Sequence, residues 1–105
     1  MDKTAAVECV KKLADLIKQN FPVKKVILFG SYAKGYARED SDIDVAVLID
    51  KIEGDFLSAE AKLFQLRRKI NSRIEPILLE TMNDHSGFLE EIMKTGEIIY
   101  NADQV

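Results

Sequence analysis

The sequence predicts a small α+β or α/β sandwich built on one sheet. Two observations support this. Short β-rich runs alternate with segments whose apolar residues recur at helical spacing, in the order helix, strand, short helix, strand, helix, strand, helix. The chain, 105 residues long, is also sized for one hydrophobic core. Periodicity alone leaves the choice between the two classes open.

Residues 4–20 carry Ala6, Val10, Leu13, Ala14 and Ile17 at three- and four-residue steps, with Lys11, Lys12, Asp15 and Lys18 between them, which predicts an amphipathic helix. Asn20-Phe21-Pro22 ends it, because Pro22 disfavours helix at the preceding residue. Val26-Ile27-Leu28-Phe29 predicts a first strand over 24–29, closed by Gly30. The polar segment from Ser31 to Asp40, with Gly35 inside it, predicts a turn and a short helix. Asp42 to Ile49 then reads as a second strand. Its half from Val45 to Ile49 is apolar at every position, as a central strand buried on both faces would be.

Glu53-Gly54-Asp55 is turn chemistry, and Phe56, Ala59, Leu63, Leu66 and Ile70 predict a helix over 56–70. Ile74 to Leu79 is the third strand, placed at an edge, or with Pro76 just before ladder pairing begins, because Pro76 lacks a backbone donor. A last helix is expected over 86–94, capped by Asp84 or Ser86, with Leu89, Ile92 and Met93 on its inner face and Thr95-Gly96 as its stop. Ile98-Ile99-Tyr100 is expected to dock on the core as a short closing segment. No repeat, low-complexity stretch or linker interrupts the chain, so residues 1–105 are expected to form one domain.

At 47% hydrophobic and 31% charged, the composition excludes disordered, fibrous and membrane-spanning classes. Folding at this length should bury somewhat over roughly 60% of the unfolded surface, which leaves little area for a private substrate cavity and points to completion of the site by a partner. A lone Cys9 and the lack of a basic-then-apolar leader pattern make a reducing cytoplasm the expected location. Net charge is −3, so the chain as a whole is not expected to bind nucleic acid directly. Seven acids between Glu39 and Asp55 face only Lys51, which fits either a solvated acidic loop or a cation site.

Asp42 and Asp44 sit two residues apart at the start of a strand, so both side chains project from one face with Cα atoms about 6.5 Å apart. Carboxylates that converge in this way repel unless protonated or neutralised, and divalent cations neutralise them while gripping a polyphosphate. In two-metal phosphoryl chemistry the ions lie about 3.5–4 Å apart, one at the attacking and one at the leaving oxygen. An isolated Asp-x-Asp is weak evidence, but Ser31 stands eleven residues before Asp42 in a Gly30-Ser31 pair where a buried strand meets a helix start. Unpaired backbone N–H groups attract phosphate at such a place. Two rival motifs fail. A P-loop would need Lys and Ser/Thr where Tyr36-Ala37 stand, and an EF-hand would need glycine at Val45 and glutamate at Lys51.

Gly30-Ser31-Tyr32-Ala33-Lys34-Gly35, followed by Ser41-Asp42-Ile43-Asp44-Val45, resembles the signature of the DNA polymerase β-type nucleotidyltransferase superfamily, in its minimal nucleotidyltransferase branch. The resemblance implies an α/β fold with a mixed sheet flanked by helices. It also implies nucleotide contacts at Gly30, Ser31 and Ser41, with Lys34 and Arg38 able to neutralise phosphate charge. Two Mg²⁺ ions would be held by Asp42 and Asp44, with Glu75 as the third carboxylate, either metal ligand or base. The implied reaction is transfer of a nucleoside monophosphate, AMP from ATP, to a hydroxyl with loss of pyrophosphate. Small members of this branch resemble antitoxins whose partner is a HEPN-domain toxin modified on tyrosine. Lys34 departs from the arginine common at its position, keeping charge but losing the bidentate fork.

The remaining features carry blander expectations: His85 a surface or capping residue, Cys9 inert, Tyr32 and Tyr36 packed on the sheet, and Arg67-Arg68-Lys69 a helix C-terminus complementing the dipole. Two other functions stay open: a non-catalytic nucleotide- or partner-binding subunit, homo- or hetero-oligomeric, and a small-molecule nucleotidyltransferase.

Overall fold

The computed structural model describes residues 1–82 and 87–104. Its elements are α1 (Lys3–Asn20), β1 (Val23–Phe29), α2 (Gly30–Lys34), β2 (Ile43–Ile49), α3 (Phe56–Arg68), β3 (Ile74–Glu80), α4 (Phe88–Thr95) and β4 (Glu97–Asn101), with a 3₁₀ turn at Ala102–Gln104. The strands form one mixed sheet in the order β3-β2-β1-β4. β2 and β3 run parallel, joined by α3, while β1 is antiparallel to both β2 and β4.

Strand alternation divides the core between the two sheet faces. Val26, Leu28, Ile43, Val45, Val47, Ile49, Ile74 and Leu78 meet α1 and α3 on one face, where Ala6, Val10, Leu13, Ala14 and Ile17 of α1 and Leu63 and Leu66 of α3 are buried. Ile27, Ala46 and Leu48 occupy the other face and are covered by Ile92 of α4. Both helices of the larger layer are capped by aspartate: Asp2 Oδ1 accepts from Ala5 N at 2.8 Å, and Asp55 accepts from Leu57 N at 3.3 Å. β2, buried on both faces, is central as expected, and β3 with its Pro76 is an edge.

Four expectations are altered or left aside. The closing segment is a fourth strand, hydrogen-bonded along β1 through pairs such as Val26 with Tyr100 and Ile27 with Ile98. Gly96 makes this approach possible, because a Cβ there would lie 2.6 Å from Ile27 Cγ2 and 2.9 Å from the Leu28 carbonyl. Met93 points outward, 40% exposed, since the eight-residue α4 turns Phe88, Leu89 and Ile92 toward the sheet and the residue after Ile92 lies about 100° around the helix. Tyr36 is also exposed, because the left-handed Gly35 has already turned the chain out of α2, whereas Tyr32 is buried as expected. Asp84, His85 and Ser86 fall outside the described residues, and Gly87 takes the N-cap position of α4. Among the described residues, no helix is long and apolar enough to cross a membrane.

Candidate active site

The C-terminal end of β1 and the N-terminal ends of β2 and β3 meet at one end of the sheet. Phe29 is the register partner of Asp44 across β1 and β2, and Asp44 is the partner of Glu75 across β2 and β3. Paired residues of adjacent strands project from the same face, so Asp44 and Glu75 share the face that carries α4, beyond the apolar patch of Ile27, Ala46 and Leu48. Asp42, two residues before Asp44 and just outside the strand, is exposed.

The Gly-Ser turn lies directly against the Asp44 carboxylate. Gly30 has φ +72°, a backbone conformation that side chains resist, and an added Cβ would overlap Asp44 Oδ2 and lie 3.1 Å from its Cγ. The missing side chain is what lets the turn and the aspartate lie against each other. Behind the turn, α2 buries Tyr32, whose hydroxyl donates to the Met1 carbonyl at 3.4 Å. The chain then returns through residues 35–42, where Ser41 Oγ accepts from Arg38 N at 2.7 Å and Ser41 N donates to the Arg38 carbonyl at 3.0 Å. Arg73 Nη1 donates to the Glu39 carbonyl and ties this loop to the start of β3. Ser41 is therefore engaged in shaping the loop, while the side chains of Lys34 and Arg38 are exposed.

Burial raises the Asp44 pKa above the ordinary carboxylate value, and the nearby charges of Asp42 and then Glu75 raise it further. The three carboxylates thus feel one another at Asp44. They are not, however, assembled as a cage: among the described residues no group of three His, Cys, Asp or Glu stands ready to hold a metal ion. Glu75 is engaged elsewhere, its Oε1 3.4 Å from Arg67 Nη1. A hard, all-oxygen donor pair at Asp42 and Asp44 still fits Mg²⁺, which is commonly bound through one or two carboxylates together with substrate phosphates and water. A cavity of about 570 Å³ lies past the far end of β2, lined by Phe21, Ile49, Lys51, Asp55 and Ser58, and none of the carboxylate or Gly-Ser residues reaches it.

Arg67 and Arg73 are the polar residues at this end that reading the sequence missed as site neighbours. Arg67 lies eight positions before Glu75 across a helix-to-strand connection, a separation with no helical or strand periodicity, so no local pattern signals the pair.

The family profile described as polymerase beta, nucleotidyltransferase matches residues 11–105. The chain belongs to this nucleotidyltransferase family. Among its relatives is a candidate protein adenylyltransferase of Methanocaldococcus jannaschii, 36% identical over 63 residues, a match that spans 60% of this chain and 63% of the relative. Another is the protein adenylyltransferase MntA of Thermococcus cleftensis, 28% identical over 86 residues and 80% of each chain.

Solved structures agree on the fold. A candidate nucleotidyltransferase from Sulfolobus solfataricus superposes with a TM-score of 0.72 at 19% identity, covering 97% of this chain and 86% of its own. A toxin–antitoxin crystallised with AMP-PNP superposes with a TM-score of 0.65 at 27% identity, covering 89% of this chain and 73% of its own. A structure of tri-AMPylated Shewanella oneidensis HEPN toxin in complex with MNT antitoxin gives a TM-score of 0.64 at 23% identity, covering 94% of this chain and 75% of its own. The expected mixed sheet flanked by helices is the fold this nucleotidyltransferase adopts.

Proposed function

We propose that residues 1–105 act as one metal-dependent minimal nucleotidyltransferase domain that transfers AMP from ATP to a hydroxyl of a partner protein, as the antitoxin of a HEPN/MNT pair. The observation that carries this reading is the contact between the bare Gly30 of the Gly-Ser turn and Asp44 of the Asp-x-Asp pair, with Glu75 in register beside it. A turn that offers backbone N–H groups and a pair that gathers negative charge lie at one end of one sheet. The adenylyltransferase relatives and the nucleotide-bound toxin–antitoxin support the choice of AMP and of a protein acceptor.

In this mechanism Gly30 and Ser31 hold the β- and γ-phosphates, and Lys34 and Arg38 offset their charge from the exposed loop. Asp42 and Asp44 would hold Mg²⁺, which when bound supplies charge neutralisation at the triphosphate and its leaving oxygen. The acceptor oxygen forms a bond to the α-phosphorus while the bond from that phosphorus to the bridging oxygen breaks, and pyrophosphate departs. The hydroxyl proton passes to Glu75 or to water. Ser41 holds Arg38 and the loop in place through the 2.7 Å bond. Because the carboxylates lie on a sheet end rather than in the cavity at the far end of β2, the acceptor surface comes from the partner. A cytoplasmic setting fits the unpaired Cys9.

Incubation with radiolabelled ATP, Mg²⁺ and the co-purified partner should label the partner, and labelling should vanish with Asp42→Asn/Asp44→Asn. A second reading, a non-catalytic binding subunit, is favoured by the engagement of Glu75 with Arg67. Full protection of cells against the partner by the double variant would establish that second reading, and loss of protection would exclude it.

A further inference from the structure

We propose that Arg67 is a positioning residue that holds Glu75 out of the Asp42/Asp44 metal pair and toward the open edge of β3, where the acceptor hydroxyl arrives. The inference rests on the reading of Glu75 as the third carboxylate and assigns it the acceptor side of the site.

The ladder fixes the geometry. Arg73 O accepts from Ile43 N at 2.9 Å and therefore faces β2. Carbonyls alternate in direction along a strand, so Ile74 O faces away from the sheet, where an edge strand has no partner. Arg67 Nη1 donates to this outward carbonyl at 2.8 Å and, from the same nitrogen, to Glu75 Oε1 at 3.4 Å. Its helix, α3, packs Leu63 and Leu66 on the face opposite to Glu75, so the guanidinium reaches around the β3 edge. The Phe64 ring, with its centroid 4.7 Å from Arg67 Cζ, supports the plane of the group from one side.

An arginine in the last turn of a helix satisfies the helix dipole equally well while pointing into water. Arg67 instead has a side chain only 22% exposed, and its Nε is buried without a hydrogen-bond partner. An unsatisfied buried donor is costly, so the buried placement demands a return: the group is anchored by the Ile74 carbonyl and the Phe64 ring, and its charge is presented to Glu75. Asp44 repels Glu75 from one side and Arg67 attracts it from the other, so the carboxylate is steered to the edge.

The test combines calorimetry with kinetics. Mn²⁺ is titrated into the wild type, Arg67→Met, Glu75→Gln and the double variant, each shown folded by circular dichroism. Release of Glu75 to join the aspartates should raise the Mn²⁺ affinity of Arg67→Met by about tenfold, the scale on which groups around a metal site tune affinity. Glu75→Gln should cancel the gain in the double variant. In partner labelling, Arg67→Met should lower kcat with the KM for ATP unchanged, and Arg67→Lys should restore part of the rate. Unchanged Mn²⁺ affinity in a folded Arg67→Met, or a gain that survives in the double variant, overturns the proposal whether or not labelling occurs. Absence of labelling by the wild type instead refutes the proposed function, and full activity of Glu75→Gln refutes the role of Glu75.

Discussion

Substitution of Gly30 by alanine separates backbone strain from damage to the site, because Gly35 supplies the matched control. Both glycines have positive φ, +72° and +86°, so alanine at either position costs about 1–2 kcal/mol for the left-handed backbone. For a domain of this size that corresponds to a fall in Tm of roughly 4–16 °C. A Cβ at Gly35 meets nothing within 4 Å, whereas at Gly30 it overlaps Asp44 Oδ2. Relieving that overlap moves the carboxylate by on the order of 1 Å, a misplacement that costs about a hundredfold in rate when it involves a reacting geometry. Thermal unfolding followed by circular dichroism should show both variants destabilised, Gly30→Ala the more so. Partner labelling from ATP, measured well below either Tm, should collapse only in Gly30→Ala. Equal labelling rates in the two folded variants would refute the argument that the Gly30 approach to Asp44 builds the site.

Other perturbations test the surrounding physics. An acid whose folded-state pKa is raised binds its proton more tightly folded than unfolded, so Asp44 destabilises the fold as pH rises from the ordinary carboxylate value through the raised one. Asp44→Asn, measured in EDTA, should therefore have a higher Tm than the wild type at pH 7.5, with the difference vanishing below the ordinary carboxylate pKa; an unchanged or lower Tm at pH 7.5 would contradict this. Asp50 has the opposite shift: the hydrogen bond from Thr81 Oγ1, 2.7 Å away, and Lys24 hold its pKa down. Its contribution is present above the ordinary carboxylate pKa and lost as pH falls through the lowered one, so Thr81→Val should flatten the acid limb of a stability–pH curve. Gly96→Ala should destabilise by about 1–3 kcal/mol in denaturant melts, because its neighbours include the Ile92 and Leu28 carbonyls, which are backbone and cannot step aside. Saturating ATP and Mg²⁺ should raise the wild-type Tm, by about 2.7 kcal/mol of stabilisation at a hundred times Kd, and EDTA should remove the gain.

Local pattern in the sequence was enough to determine most of the elements and to nominate the candidate site. Helical spacing in α1 names all five of its buried residues, the unbroken run from Val45 to Ile49 announces a central strand, and Pro76 marks β3 as an edge. Gly30 and Asp44 are legible because glycine freedom and strand alternation are properties of a few consecutive residues, whereas Asp42, expected within the strand, lies just before it. Only the tertiary structure decided which elements meet. The pairing of β4 with β1 joins residues about seventy positions apart, and the exposure of Met93 depends on how little of α4 the sheet can cover. The register that sets Glu75 beside Asp44 and the arginine that reaches around the edge to hold it depend on how α3 docks. A side chain's type and spacing determine which face is apolar or charged; packing determines what that face touches.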